Sequence, residues 1–136
     1  MANLRESVEG FWSDFEAGRI GDAVARLGDD CEFVMPGAPP MRGLAALRPF
    51  FEGWRSAFPD MRHETAHAIE SGATYAAETD FRGTHRGALR SANGELPATG
   101  REVRWRSADV LRFADGKIVS WHVYHDPGVL FAQLTG

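Results

Sequence analysis

The order of hydrophobic periodicities predicts an α+β fold. Three observations carry it. Apolar residues recur at helical spacing through residue 58, the period changes to two from residue 62 on, and Asp115-Gly116 marks a hairpin between two alternating runs. At 136 residues the chain has the length of one domain. No repeat, low-complexity tract or linker divides it, so a single domain over 1–136 is expected.

Leu4, Val8, Phe11, Trp12 and Phe15 form one apolar stripe and predict a first amphipathic helix, ended by Ala17-Gly18. Ile20, Ala23, Val24 and Leu27 predict a second, short one, stopped by Gly28-Asp29-Asp30. Cys31 to Met35 reads as a strand and Pro36-Gly37-Ala38-Pro39-Pro40 as a loop. Leu44, Leu47, Phe51, Trp54 and Phe58 return to helical spacing. Pro49 inside that run bends the helix or delays its start, and Pro59-Asp60 closes it. His63, Thr65, His67 and Ile69 then share one side of a strand. Thr74 to Thr84 is a further strand with Tyr75, Ala77, Thr79 and Phe81 on one face. Gly94, Pro97 and Gly100 mark a long polar loop. Val103 to Phe113 and Lys117 to His125 are the hairpin strands, and Val129 to Leu134 is a short apolar tail.

Composition narrows the function classes. The formal net charge is -4 and no basic stripe exists, which argues against a nucleic-acid partner. The lone Cys31 excludes an internal disulfide and fits a reducing compartment. The first dozen residues lack a signal pattern and no apolar run approaches ~18 residues, so a cytoplasmic chain without a membrane partner is expected. Four Trp and nine Phe point to a bulky core or an aromatic-lined cavity.

His63-Glu64-Thr65-Ala66-His67 matches the H-E-x-x-H pattern of zinc proteases. That chemistry needs both histidines one turn apart on a helix. The segment reads as a strand, where residues four apart lie roughly 13 Å from one another at ~3.3 Å per residue. One zinc ion with ~2.0 Å bonds does not bridge that distance. The expectation is two strand histidines and no metal site.

The second half carries a family pattern. Its features are Gly83-Thr84-His85, the Pro97-Ala98-Thr99-Gly100-Arg101 loop, Arg112 before Gly116-Lys117-Ile118, and Asp126 seven residues before Gln133-Leu134. These resemble the SnoaL-like polyketide cyclases, relatives of ketosteroid isomerase and limonene epoxide hydrolase in the nuclear transport factor 2-like superfamily. The N-terminal half agrees more loosely. The resemblance implies a cone-shaped, curved antiparallel sheet packed with N-terminal helices around a pocket, and a homodimer with sheets back to back.

Carried over by position, the resemblance points to Asp109. It interrupts the apolar strand face of Val103, Trp105, Ser107, Leu111 and Phe113. In ketosteroid isomerase the similar position holds a neutral acid that donates to a developing oxyanion. Asp109 is therefore expected to be a pocket acid. That enzyme's tyrosine falls at Phe11 and its basic aspartate at Met35, so its mechanism does not transfer. The cyclases' catalytic aspartate falls at Val123 and their histidine at Asp109. The epoxide hydrolase set lacks its arginine near Glu78-Thr79-Asp80. Asp126 is expected to cap the terminal helix or to hold an Arg or Lys at the strand end. His125 and His85 are the candidate replacement proton carriers, since imidazole titrates near neutrality.

The expected site thus has Asp109, His125 and His85 as catalytic candidates. Trp54, Trp105, Trp121, Phe11, Met35, Val123 and Phe58 are its candidate ligand contacts. The expected ligand is small and apolar or ring-bearing, with no metal or organic cofactor. The expected activity is acid/base chemistry at a carbonyl, of cyclase or isomerase type. A non-catalytic ligand-binding or assembly module of the same fold is the other possibility.

Overall fold

The computed structural model describes residues 3–91 and 94–136. Met1 and Ala2, used above in reading the N-terminus, lie outside them. Helix α1 (Leu4–Glu16) opens on Asn3, whose side chain accepts from the Glu6 amide at 2.7 Å. It buries Val8, Phe11 and Phe15 as its apolar stripe requires. Short helix α2 (Ile20–Val24) follows. Asp14 ties this corner together through Arg19 at 2.9 Å and Arg26 at 3.1 Å.

Strand β1 (Leu27–Val34) begins earlier than its sequence pattern predicts. Leu27 belongs to it, and Gly28-Asp29-Asp30 lie inside it rather than stopping a helix. A bulge between Leu27 and Glu32 leaves Asp29 and Asp30 exposed, so their charges stay in water. At Gly28 a Cβ would lie 3.2 Å from the Val119 side chain, so glycine suits this close approach. A two-residue strand, β2 (Met41–Arg42), and helix α3 (Leu44–Ala57) come next. Pro49 neither delays the start nor divides the helix, which runs from Leu44 through it.

The remaining strands are β3 (Arg62–Ser71), β4 (Thr74–Thr84), β5 (Leu89–Ser91), β6 (Gly94–Leu96), β7 (Glu102–Ala114) and β8 (Lys117–Tyr124). The curved main sheet has the order β2-β1-β8-β7-β4-β3. Its pairings are antiparallel except β1 with β8, which is parallel. A wholly antiparallel sheet was expected; α3 and the long β-run separate β1 from β8 in sequence, which frees that pair from hairpin geometry. The polar loop expected around Gly94 contains the small β5–β6 hairpin. Asp115 and Gly116 have φ of 52° and 75°, the positive pair that a tight two-residue hairpin needs.

The apolar tail forms helix α4 (Pro127–Thr135), the terminal helix that Asp126 was expected to cap. Asp126 caps it, accepting from the Gly128 amide at 2.9 Å, with Pro127 at the first turn. Asp126→Ala is expected to lower stability by about 1 kcal/mol in urea unfolding; an unchanged midpoint would rule out a significant capping contribution.

The core lies between the helices and the concave side of the sheet. Phe11, Trp121, Tyr75, Leu111 and Phe58 have no exposed surface at all. Phe11 sits at the centre, with ring centroids 4.9 Å from Trp121 and 5.3 Å from Phe51.

Candidate active site on the concave face

A cavity of about 60 Å³ opens between α1, α3 and the inward residues of β3, β4 and β7. Asp109 lines it from the middle of β7 and is only 4 % exposed. Ser107 Oγ donates to Asp109 Oδ1 at 2.6 Å, and Trp121 Nε1 donates to Oδ2 at 3.1 Å. Burial pushes this carboxyl up to about 6, against the Ser107 and Trp121 hydrogen bonds that hold it down. Indole N–H can only donate, so the Trp121 bond favours the carboxylate. With such a pKa about nine-tenths of it is ionised at pH 7. The environment therefore suits a base near neutrality better than the neutral acid expected from the sequence.

Val123 lines the same cavity and is the register partner of Asp109 across β7 and β8. Side chains directly opposite on such strands have Cβ atoms ~5 Å apart.

His125 also lines the cavity, just past β8. Neither ring nitrogen has a hydrogen bond of ordinary geometry among the described residues. Burial pulls its pKa down, partly opposed by the backbone and carboxylate of Asp126. The ring is neutral near pH 7, with one N–H donor and one acceptor. Its centroid lies 5.8 Å from that of Trp105. Trp54, Met35 and Trp105 complete the expected lining.

Four expected residues lie elsewhere. Phe11 and Phe58 are fully buried in the core; neither lines the cavity, because α1 and the end of α3 turn them into the packing layer. Trp121 is also outside the lining, but its indole holds Asp109 from beneath. His85 is corrected from the site to the sheet's far end. Its Nδ1 accepts from the Thr99 amide at 3.2 Å, its backbone joins Arg101 and Gly100, and its ring packs on Phe58. It fastens the 97–101 loop to the end of β4.

His63 was the residue that sequence reasoning discounted. A bulge follows Thr65: Thr65 pairs with Thr79, but His67 pairs with Glu78. The bulge turns His67 to the outer face and leaves His63 inward, correcting the shared side expected for both. His63's side chain is 5 % exposed and stacks on Trp12 with centroids 3.7 Å apart and planes at 10°. Glu16 Oε2, from the end of α1, accepts from the His63 amide at 2.6 Å and lies 3.0 Å from Nδ1. Burial pulls the His63 pKa down, and Glu16 opposes that in part. Among the described residues no three His, Cys, Asp or Glu side chains gather to hold a metal ion.

The cavity wall is a succession of rings. Trp12 contacts His63, His63 contacts Phe81 at 5.1 Å, and Phe81 stacks on Trp105 at 4.0 Å. The buried Trp12 Nε1 has no partner among the described residues. Thr79, Phe81 and Ser107 were legible on the inward faces of their strands and Trp12 in the stripe of the first helix; Phe50, outside the stripe of its helix, was not.

Among the described residues no helix is long and apolar enough to cross a membrane. No curated protein sequence matches the chain significantly. Solved structures do. One is a candidate SnoaL-like polyketide cyclase from Jannaschia sp. CCS1, at TM-score 0.83 and 13% identity, covering 96% of this chain and 90% of that one. Another is IdmH, a candidate polyketide cyclase from Streptomyces antibioticus, at TM-score 0.80 and 22% identity, covering 99% and 100%. A third is an epoxide hydrolase of M. tuberculosis, described as LEH-like, at TM-score 0.72 and 19% identity, covering 95% and 86%. At such identities the likeness shows the fold. The family model of the SnoaL-like polyketide cyclases matches residues 4–134. The chain belongs to the SnoaL-like polyketide cyclase family.

Proposed function

We propose that this chain is a cytoplasmic enzyme that performs acid/base chemistry next to a carbonyl group, of polyketide cyclase or isomerase type, without a metal or organic cofactor. One observation carries the reading: a carboxylate buried to 4 % exposure, held up near pH 6, stands in an aromatic cavity. Asp109 takes the proton from a carbon next to the carbonyl. The C–H electron pair moves to form the enolate, and the N–H of neutral His125 donates to its oxygen. Return of the proton to another atom completes an isomerisation; attack of the enolate carbon on a second carbonyl closes a ring. Neither step needs an oxidant or water.

The cavity of about 60 Å³ holds roughly two waters. A ring-bearing substrate requires its wall to open. Met35 on the β1–β2 loop and Phe50 and Trp54 on α3 belong to the elements outside the sheet, so movement there leaves the strand pairing intact.

The test is deuterium uptake by 2-tetralone in D₂O, followed by proton NMR. The wild-type chain should accelerate uptake at the α-carbon, and Asp109→Asn should lower that acceleration by at least about 100-fold. Uptake no faster than in buffer, with the ketone bound, would instead support a ligand-binding or assembly module, a second reading that Val123 and the small cavity favour.

The expected homodimer belongs to the same proposal. On the outer sheet face Ile69 is 72 % exposed, beside Ala76, Ala108 and Val110. Ile69→Lys should shift sedimentation from dimer to monomer; a wild-type chain that sediments as a monomer would contradict it.

A further inference from the structure

We propose that His63, oriented by Glu16, is a hydroxyl-recognition group that selects ring compounds bearing a phenolic or enolic O–H. It rests on the cavity being the ligand site but needs no turnover.

The geometry carries it. Glu16 Oε2 stands 3.0 Å from Nδ1, and a carboxylate can only accept, so the ring proton sits on Nδ1. Nε2 is left as a lone-pair acceptor with no hydrogen bond among the described residues. The ring is 95 % buried and lines the cavity from β3, two strands from the β7 that holds Asp109. Trp12 covers one of its faces, so the nitrogen is fixed in direction as well as in tautomer. A solvent-reachable acceptor of fixed direction favours a ligand with an O–H and penalises one without it, because the nitrogen then loses water without gaining a partner. When the hydroxyl is acidic, its proton can pass to Nε2. The O–H electron pair stays on oxygen as a phenolate or enolate, and the imidazolium pairs with Glu16. An enolate made in this way is the nucleophile that a ring closure uses.

The same His63 and Trp12 rings also line an outer cleft of about 630 Å³, with Glu9 and Glu16 on its α1 side. The recognition group is therefore the boundary between the cleft and the inner cavity.

Binding of 2-naphthol and of 2-methoxynaphthalene, measured by fluorescence, tests the inference. The naphthol should bind at least about tenfold more tightly than its methyl ether. His63→Phe keeps a ring to stack on Trp12 and removes the acceptor, so that preference should vanish. Glu16→Gln lets an amide N–H donate to Nδ1, which moves the ring proton to Nε2; the preference should fall there too. In ¹⁵N NMR the wild-type His63 should carry its proton on Nδ1, and Nε2 should shift when naphthol is added. Equal binding of the two compounds, no binding of either, or a preference that survives His63→Phe would overturn the inference. Selective naphthol binding without deuterium uptake by 2-tetralone would leave it standing and sink the enzyme reading instead.

Discussion

At pH 7 the Asp109→Asn variant is expected to be more stable than the wild-type chain by about 3 kcal/mol, while losing the proposed proton-transfer activity. The folded carboxyl sits at about 6 and its ordinary value is 3.8, a gap of about two pH units at about 1.4 kcal/mol each. The sign follows from proton binding. The folded chain holds this proton more tightly than the unfolded one. The stability it contributes is fully present below pH 3.8 and is lost as pH rises through about 6. Asparagine stays neutral throughout, accepts from Trp121 Nε1 and donates to Ser107 Oγ, so it keeps both bonds. The advantage of the variant should therefore grow between pH 4 and pH 6 and level off above. Urea unfolding at pH 3.5 and pH 7 reads it directly. A variant less stable than wild type at pH 7 would mean that the carboxylate is not strained by burial. The trade is familiar in enzymes, whose working groups stand where folding alone would not put them.

Trp121→Phe is the second large effect. Trp121 has no exposed surface, and its ring meets Phe11 at 4.9 Å and Trp12 at 5.2 Å. The smaller ring leaves space in the core, a loss of about 1–3 kcal/mol. It also removes one of two donors from a buried carboxylate, a further loss of about 1.5–3 kcal/mol. Only the second loss depends on charge. At pH 7 both act; at pH 4 Asp109 is protonated and the donor matters little. The destabilisation should thus shrink by about 2 kcal/mol between pH 7 and pH 4, and it should equal the pH 4 value at every pH when Asp109→Asn is also present. A penalty that does not change with pH would show that the indole acts through packing alone. The same variant should raise the Asp109 titration further, because a bond to the charged form is gone.

Much of this was legible in the chain. Helix α1, α3, the β7–β8 hairpin and the inward face of β4 follow from periodicity, because each presents one apolar side to one core. Asp109 stood out for the same reason: a carboxylate on an apolar strand face must be neutralised, paired or used. Its protonation state did not follow. Which protonation state a buried carboxyl prefers depends on the donors around it, and Trp121 comes from another strand. His63 was hidden by a different cause. A single bulged residue, Ala66, reverses every side chain after it, and alternation read along one strand has no way to register that. The H-E-x-x-H letters drew attention to His63 for the wrong chemistry; its partner is Glu16, far away in sequence, not His67. β1 was misread because Gly28-Asp29-Asp30 looks like a helix stop, while its close approach to β8 depends on a parallel pairing of distant segments. His85 and Phe58 were assigned to the pocket although both serve the packing beside it.

The central claim is that Asp109 is a proton-transfer group tuned by burial. It is tested most directly by titrating its carboxyl carbon by ¹³C NMR in the folded chain. A midpoint of about 6, rising in Trp121→Phe, is expected. A midpoint at or below the ordinary value of 3.8 would contradict it.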